Sequence, residues 1–213
     1  MTPLKEVRNA KDRLARAYAL WRIKPTQEES RSYNGTDRIL LTFDDYADSE
    51  NIHELLDILK EQKVKAAFFL VGEWAQTHQE MVAAIRAAGH WIGNHTFSHR
   101  KLTKLSPMEI EKEIQSGVPG KLLRPPYGAY NKKIRDIAAK LGYHIAFWTI
   151  DSSDWKGIDA SRIEERILEN LHPGACILLH LHARKSIEAL PRLIQNIRAQ
   201  GFELCNNGNE ISL

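Results

Sequence analysis

Short, almost purely apolar runs alternate along this chain with segments whose apolar residues recur every three to four positions. That alternation constrains the fold more than any other feature. The runs at 39–43, 66–71, 91–93, 121–123, 145–150, 176–180 and 202–204 are rich in β-branched and aromatic residues, and they read as strands buried on both faces. The segments 51–62, 80–88, 107–116, 132–141, 160–170 and 186–200 read as amphipathic helices. Leu55, Leu56 and Leu59 share one helical face, as do Ile134, Ile137 and Leu141. Gly89, Gly142 and Gly201 stand where helix C-caps belong, and Pro191 predicts a kink or a break in the last helix. Repeated strand–helix units imply a parallel sheet, closed as a barrel or open.

The 213 residues, 43% of them hydrophobic, suffice for one large domain with its own core. That domain is expected over residues 36–213, preceded by an N-terminal extension over 1–35 that is helical in part. Leu4, Val7, Leu14, Tyr18 and Trp21 interleave with Lys and Arg there, as in an amphipathic helix packing on the body, a reading favoured over a helix lying on a membrane surface or a partner. A net charge of +3, evenly spread, argues against a nucleic-acid partner. No apolar run approaches the roughly 18 residues of a spanning helix, and no secretory leader is visible in the chain as given, which leaves location open. Cys176 and Cys205 belong to no CxxC and read as two buried thiols, their pairing undecided by sequence.

The unusual polar residues fall where the expected strands end. Asp44 and Asp45 follow the first run, His95 and His99 the third, and Arg124 to Gly128 the fourth. Asp151, Asp154 and Trp155 follow the fifth, and His180 and His182 end the sixth. In parallel α/β folds these strand ends converge on one face, where ligands bind. Singly, each cluster has a plainer reading. Asp44 and Asp45 suit a helix cap. His95 and His99 are spaced to chelate from one helical turn, a spacing that also arises by chance. His53, His78, His90, His144 and His172 read as structural or solvated, whereas alternation puts His182 on the side of His180.

Taken in order, the clusters resemble the five motifs of the polysaccharide deacetylase family, the NodB homology domain of carbohydrate esterase family 4. Thr42-Phe43-Asp44-Asp45 is similar to the first, His95-Thr96-Phe97-Ser98-His99 to the second and Arg124-Pro125-Pro126-Tyr127-Gly128 to the third. Asp151-Ser152-Ser153-Asp154-Trp155 resembles the fourth and Leu178-Leu179-His180 the fifth. The resemblance implies an α/β fold, a distorted, incomplete (β/α) barrel of the NodB-homology type. It implies a hydrolase that removes acetyl groups from N-acetylhexosamine units of a glycan: chitooligosaccharide, peptidoglycan or exopolysaccharide.

The resemblance also implies that Asp45, His95 and His99 hold one divalent metal, zinc above all, with cobalt, nickel or manganese as alternatives. Asp44 is then the general base, oriented by Arg124, and the Tyr127 backbone N–H steadies the oxyanion. His180 is the general acid, with Asp151 favoured over Asp154 to position it. Tyr127 and Trp155 offer flat faces to a sugar ring, while Trp148 reads as buried. Tyr46 stands where the family carries Gly, predicting another loop course or an added cleft wall. Leu181 and His182 follow the fifth motif where Asp is usual, and the stretch between His99 and Arg124 is short, predicting an open groove. An amidase or acetyl esterase on a smaller substrate, and a silent sugar-binding module, are the competing readings.

Overall fold

The computed structural model describes residues 38–206. The expected N-terminal extension and its amphipathic helix lie outside them. Seven strands, all paired in parallel, form one sheet: β1 (Leu40–Asp45), β2 (Ala66–Leu70), β3 (Trp91–Asn94), β4 (Leu122–Leu123), β5 (His144–Ile145), β6 (Ile150–Asp151) and β7 (Cys176–His180). Their spatial order is β5-β4-β3-β2-β1-β7-β6. The helices between them are α1 (Ser49–Glu61), α2 (Gly72–Thr77), α3 (Gln79–Ala87), α4 (Pro107–Gln115), α5 (Lys132–Lys140), α6 (Ala160–Leu168) and α7 (Arg184–Ala199).

The run expected as one strand over 145–150 is instead two short strands at opposite edges of the sheet. This corrects the sequence reading and explains the shape. Ile145 and Ile150 are five residue steps apart, at most about 18 Å. Flat, seven strands at about 4.8 Å spacing would hold the two edges about 29 Å apart. The sheet must therefore curl, and the result is an incomplete barrel. The peptide at Ala146 still bonds to Leu123 on one edge (2.8 Å), and Thr149 bonds to Cys176 on the other (2.8 Å). Between them the ladder fails because the Arg124 guanidinium takes the carbonyls of Ala146 and Phe147.

Period-two alternation divides each central strand between two environments. Leu41, Phe43, Ala66, Phe68, Leu70, Ile177 and Leu179 face the helices, packing with Ile52, Leu55, Ile163, Leu190 and Leu193. Leu40, Ala67, Phe69 and Cys176 face the concave side, where Leu122, Ala146, Cys205 and the flank of Trp148 join them and, among the described residues, no helix residue enters the cluster. Burying both faces is what makes these strands read as unbroken apolar runs. A second cluster joins α4 and α5 to β4 and β5 through Ile110, Ile114, Leu123, Ile134 and Ile145.

The helices form close to where periodicity placed them. Ser106 and Glu109 cap α4 reciprocally, with Pro107 in its first turn. The short α2 gave no periodic signal. The 202–204 run makes only a bridge, Ile39 to Leu204. Pro191 does not break α7, because Ile187, Leu190, Leu193, Ile194 and Ile197 clamp it from both sides of the proline, each at most 1% exposed.

Candidate active site

Register carries the site. Asp44 on β1 lies directly opposite His180 on β7, and Asp45 lies opposite Leu70, which in turn pairs with Asn94 and so with Leu123. The strands thus end within a residue of one another, and the groups just past them meet above the concave face. Strand alternation puts Leu40, Thr42 and Asp44 on that face and would send Asp45 away from it. Asp45 returns because its φ is +79°, a left-handed turn that swings the chain back over the barrel end.

The Asp45 carboxylate then faces imidazoles on both oxygens. Its Oδ1 is 3.3 Å from His95 Nε2 and 3.1 Å from His99 Nε2, and its Oδ2 is 3.4 Å from His182 Nδ1. Burial alone would raise its pKa, but the His95 and His99 contacts hold it well below the usual carboxylate range. His95 and His99 do not sit on a helical turn, as their spacing suggested. They flank a loop that turns through left-handed φ at Thr96 (+65°) and His99 (+57°). Asn94 holds the loop from below, accepting from Thr96 N–H (2.7 Å) and donating to the Ile114 carbonyl (2.8 Å). Glu113 braces it from the side through the Ser98 amide and hydroxyl. His95 Nδ1 donates to the Arg124 carbonyl (2.7 Å), which orients the ring with its Nε2 toward Asp45.

These residues fit a metal ion on their own geometry. Asp45, His95 and His99 each offer one ligand atom, all within 4.8 Å of one another. Asp45 Oδ1 is buried and meets the two imidazole nitrogens without a geometrically formed hydrogen bond to either, a gap that a cation between the three groups would fill. Two imidazoles and a carboxylate suit zinc, cobalt, nickel or manganese, and three protein ligands leave coordination positions for reactants.

Asp44 is 2% exposed, and Arg124 is fully buried beneath it. One guanidinium nitrogen donates to Asp44 Oδ1 (2.6 Å) and to Thr42 Oγ1 (2.8 Å). The guanidinium also lies 3.9 Å above the Phe69 ring. Its donors to Asp44 and to the backbone carbonyls fix the carboxylate rotamer from one side. The other oxygen, Oδ2, faces His95 Nε2 at 3.7 Å.

His180 is held by Asp154, not by Asp151. Its Nδ1 donates to Asp154 Oδ1 (2.6 Å) and its backbone N–H to Oδ2 (2.8 Å), while the Ser186 hydroxyl donates to the same Oδ2 (2.5 Å). Asp151 is spent locally, accepting the Ser153 amide, and its carbonyl takes Arg166. The left-handed Ser153 (φ +59°) turns the chain so that the buried carboxylate is that of Asp154, three residues after Asp151. Burial opposes a charge on His180, yet Asp154 with the nearby Asp44 and Asp45 outweighs it and raises its pKa to about 9.

Tyr127 also has positive φ (+59°), and its ring lies 4.7 Å from that of His99. Tyr127, Trp155 and Tyr46 are three of the four large apolar side chains most exposed on the described chain, and each adjoins a site residue. Tyr46 keeps an ordinary φ and stands as a wall beside His182, with ring centroids 6.1 Å apart. Leu181 is buried among the helix-facing core residues. The sequence reading missed Asn94, Glu113 and Ser186, and it gave Thr42 no role of its own within the first motif. Only the internal Glu of α4, facing the core side of its helix, carried a signal that could have exposed one of them.

A parallel half-barrel whose strand ends gather two carboxylates, a buried arginine, an ion-paired histidine and a trio able to hold a metal is the architecture of a hydrolase. The chain belongs to the polysaccharide deacetylase family, whose model matches residues 31–146. It is a family of metalloenzymes that hydrolyse amide C–N bonds in glycans. The peptidoglycan-N-acetylglucosamine deacetylase of Bacillus cereus is 36% identical over 85% of this chain and 70% of its own. The chitooligosaccharide deacetylase of a Bradyrhizobium species is 30% identical over 80% of this chain and 89% of its own. Among solved structures, a CE4 family pseudoenzyme from Bacillus anthracis superposes with a TM-score of 0.77, at 28% identity over 84% of this chain and 66% of that one.

Proposed function

We propose that this chain is an active, metal-dependent N-deacetylase of N-acetylhexosamine units in a glycan. The observation that carries the reading is the pairing of Asp44 with His180 across β1 and β7, each anchored by a separate buried partner, next to the ligand trio. Likeness to a pseudoenzyme does not decide against activity, because every ionisable group the reaction needs is present and oriented.

Asp45, His95 and His99 would hold the metal, most simply zinc, which supplies Lewis-acid polarisation of water and of the acyl oxygen. Asp44 takes a proton from the attacking water as its oxygen bonds to the acyl carbon. Arg124 keeps that carboxylate in place and aimed. The Tyr127 backbone N–H, by resemblance, donates to the developing oxyanion. As the C–N bond breaks, His180 gives its proton to the departing amine, and Asp154 stabilises the imidazolium until then. Acetate and the free amino sugar leave. Tyr127 and Trp155 present ring faces for the sugar.

Loaded protein should release acetate from N-acetylglucosamine oligomers or from peptidoglycan strands, and a chelator should stop it. Asp44→Asn should abolish release while metal content stays at that of the parent. Loss of metal in that variant would overturn the division between the two aspartates. Acetate from small amides or esters, but from no glycan, would overturn the glycan reading. Glycan binding without any acetate would mark a silent binding module.

A further inference from the structure

One cleft shares residues with the candidate site and is chemically unlike it. Its volume is about 690 Å³, and His99, Arg100, Lys101, Lys104, Leu105 and Tyr127 line it. Two of these, His99 and Tyr127, belong to the site; three of the rest are cations and none is acidic. A substrate reaching the ligand trio past Tyr127 therefore passes or fills a basic chamber.

The arrangement follows from a single 3-10 turn, Leu102–Lys104. In a 3-10 helix residues three apart eclipse. Leu102 (0% exposed) and Leu105 (7%) accordingly share the inner side, locked into the core cluster with Ile110 and Ile134. Lys101 and Lys104 share the outer side, both exposed. Arg100 is partly neutralised by Glu109 at 3.0 Å. No described acidic side chain pairs with Lys101 or Lys104. Lys133 donates to the Leu105 carbonyl (2.8 Å), a further cation bonded to a lining residue. Unpaired like charges held together repel one another, and an anionic ligand relieves that cost.

We propose that this cleft binds a carboxylate of the substrate, so that the enzyme prefers N-acetylated glycan strands bearing acidic substituents, as peptide-bearing strands do, over neutral ones. This rests on the deacetylase reading above and narrows it. Tyr127 supports the sugar between the two regions, with the acetamide over the ligand trio and the acidic substituent of a neighbouring unit toward Lys101 and Lys104.

The test uses zinc-loaded full-length protein and three soluble substrates of matched length. They are strands with free peptide carboxylates, the same strands with those carboxylates amidated, and neutral chitooligosaccharides. Acetate release gives kcat/KM for each at low and high salt. The expected preference for the free-carboxylate strands is roughly 10-fold at low salt, expressed in KM, and it shrinks as salt screens the cleft. In the Lys101→Gln/Lys104→Gln variant the ratio between carboxylated and amidated strands should collapse towards one. A wild-type ratio near one, or a ratio that the variant leaves intact, overturns the inference while leaving deacetylation standing. Absence of acetate from all three overturns both. Inorganic phosphate competing as well as acetylated peptide carboxylates do would overturn the assignment to carboxylate in favour of a phosphate-bearing strand.

Discussion

His180 keeps a proton that its burial disfavours, because Asp154 sits 2.6 Å from its Nδ1. In metal-free protein, an NMR titration of its ring should therefore centre near pH 9, and Asp154→Asn should bring it back toward 6.5. A divalent cation added to the trio should also lower it, by like-charge repulsion. The folded value lies above the unfolded 6.5, so the stability His180 contributes is full below pH 6.5 and is lost as pH rises through about 9. Asp154→Asn should cost roughly 100-fold or more in kcat, with little change in KM. His90 has the opposite sign. It is buried, accepts the Ala66 amide at 3.2 Å, and its pKa falls to about 4 through burial and Lys65. Its contribution is full above pH 6.5 and lost as pH falls toward 4, worth up to about 3 kcal/mol. His90→Gln should flatten that limb of a denaturant-stability profile. At this scale residue types and order were legible in the sequence. The choice of Asp154 over Asp151 was not, because it turns on one left-handed residue and on a partner 26 positions away.

The loop from His95 to His99 shows what an element adds to its residues. Two imidazoles four apart satisfy a helical template, and nothing in their identity signals the left-handed turns that shape the loop. Its rigidity comes from α4 and the segment after it. Glu113 braces Ser98, and Gly117 passes so close to Asn94 that an added Cβ would stand 2.2 Å from its Oδ1. Glu113→Ala should leave the circular dichroism spectrum unchanged and weaken zinc affinity about 10- to 100-fold in a metal titration. Gly117→Ala should destabilise the fold by about 1–3 kcal/mol in denaturant, as Asn94 is displaced. Helices other than the short α2, by contrast, were legible nearly to their ends, since apolar period and caps act locally.

For the whole molecule, alternation predicted a parallel sheet but not its closure. The stretch 145–150 reads as one apolar strand because its residues are all buried or half-buried, while its two ends serve opposite edges. The side chain that replaces the missing ladder there comes from the third motif, and it also orients the candidate base. Arg124→Met should therefore lower unfolding free energy by about 3–5 kcal/mol as well as stop turnover, because it strands a buried carboxylate and two carbonyls. An urea titration alongside the acetate assay checks both.

The same closure leaves β5 and β6, the two outermost strands, only two residues long each. A row of unpaired peptide groups that short gives an incoming strand almost nothing to extend, so neighbouring molecules cannot zip edge to edge. A curled sheet that lends one segment to both borders thereby protects the concentrated protein from aggregation without any lysine or proline set aside to guard its margins.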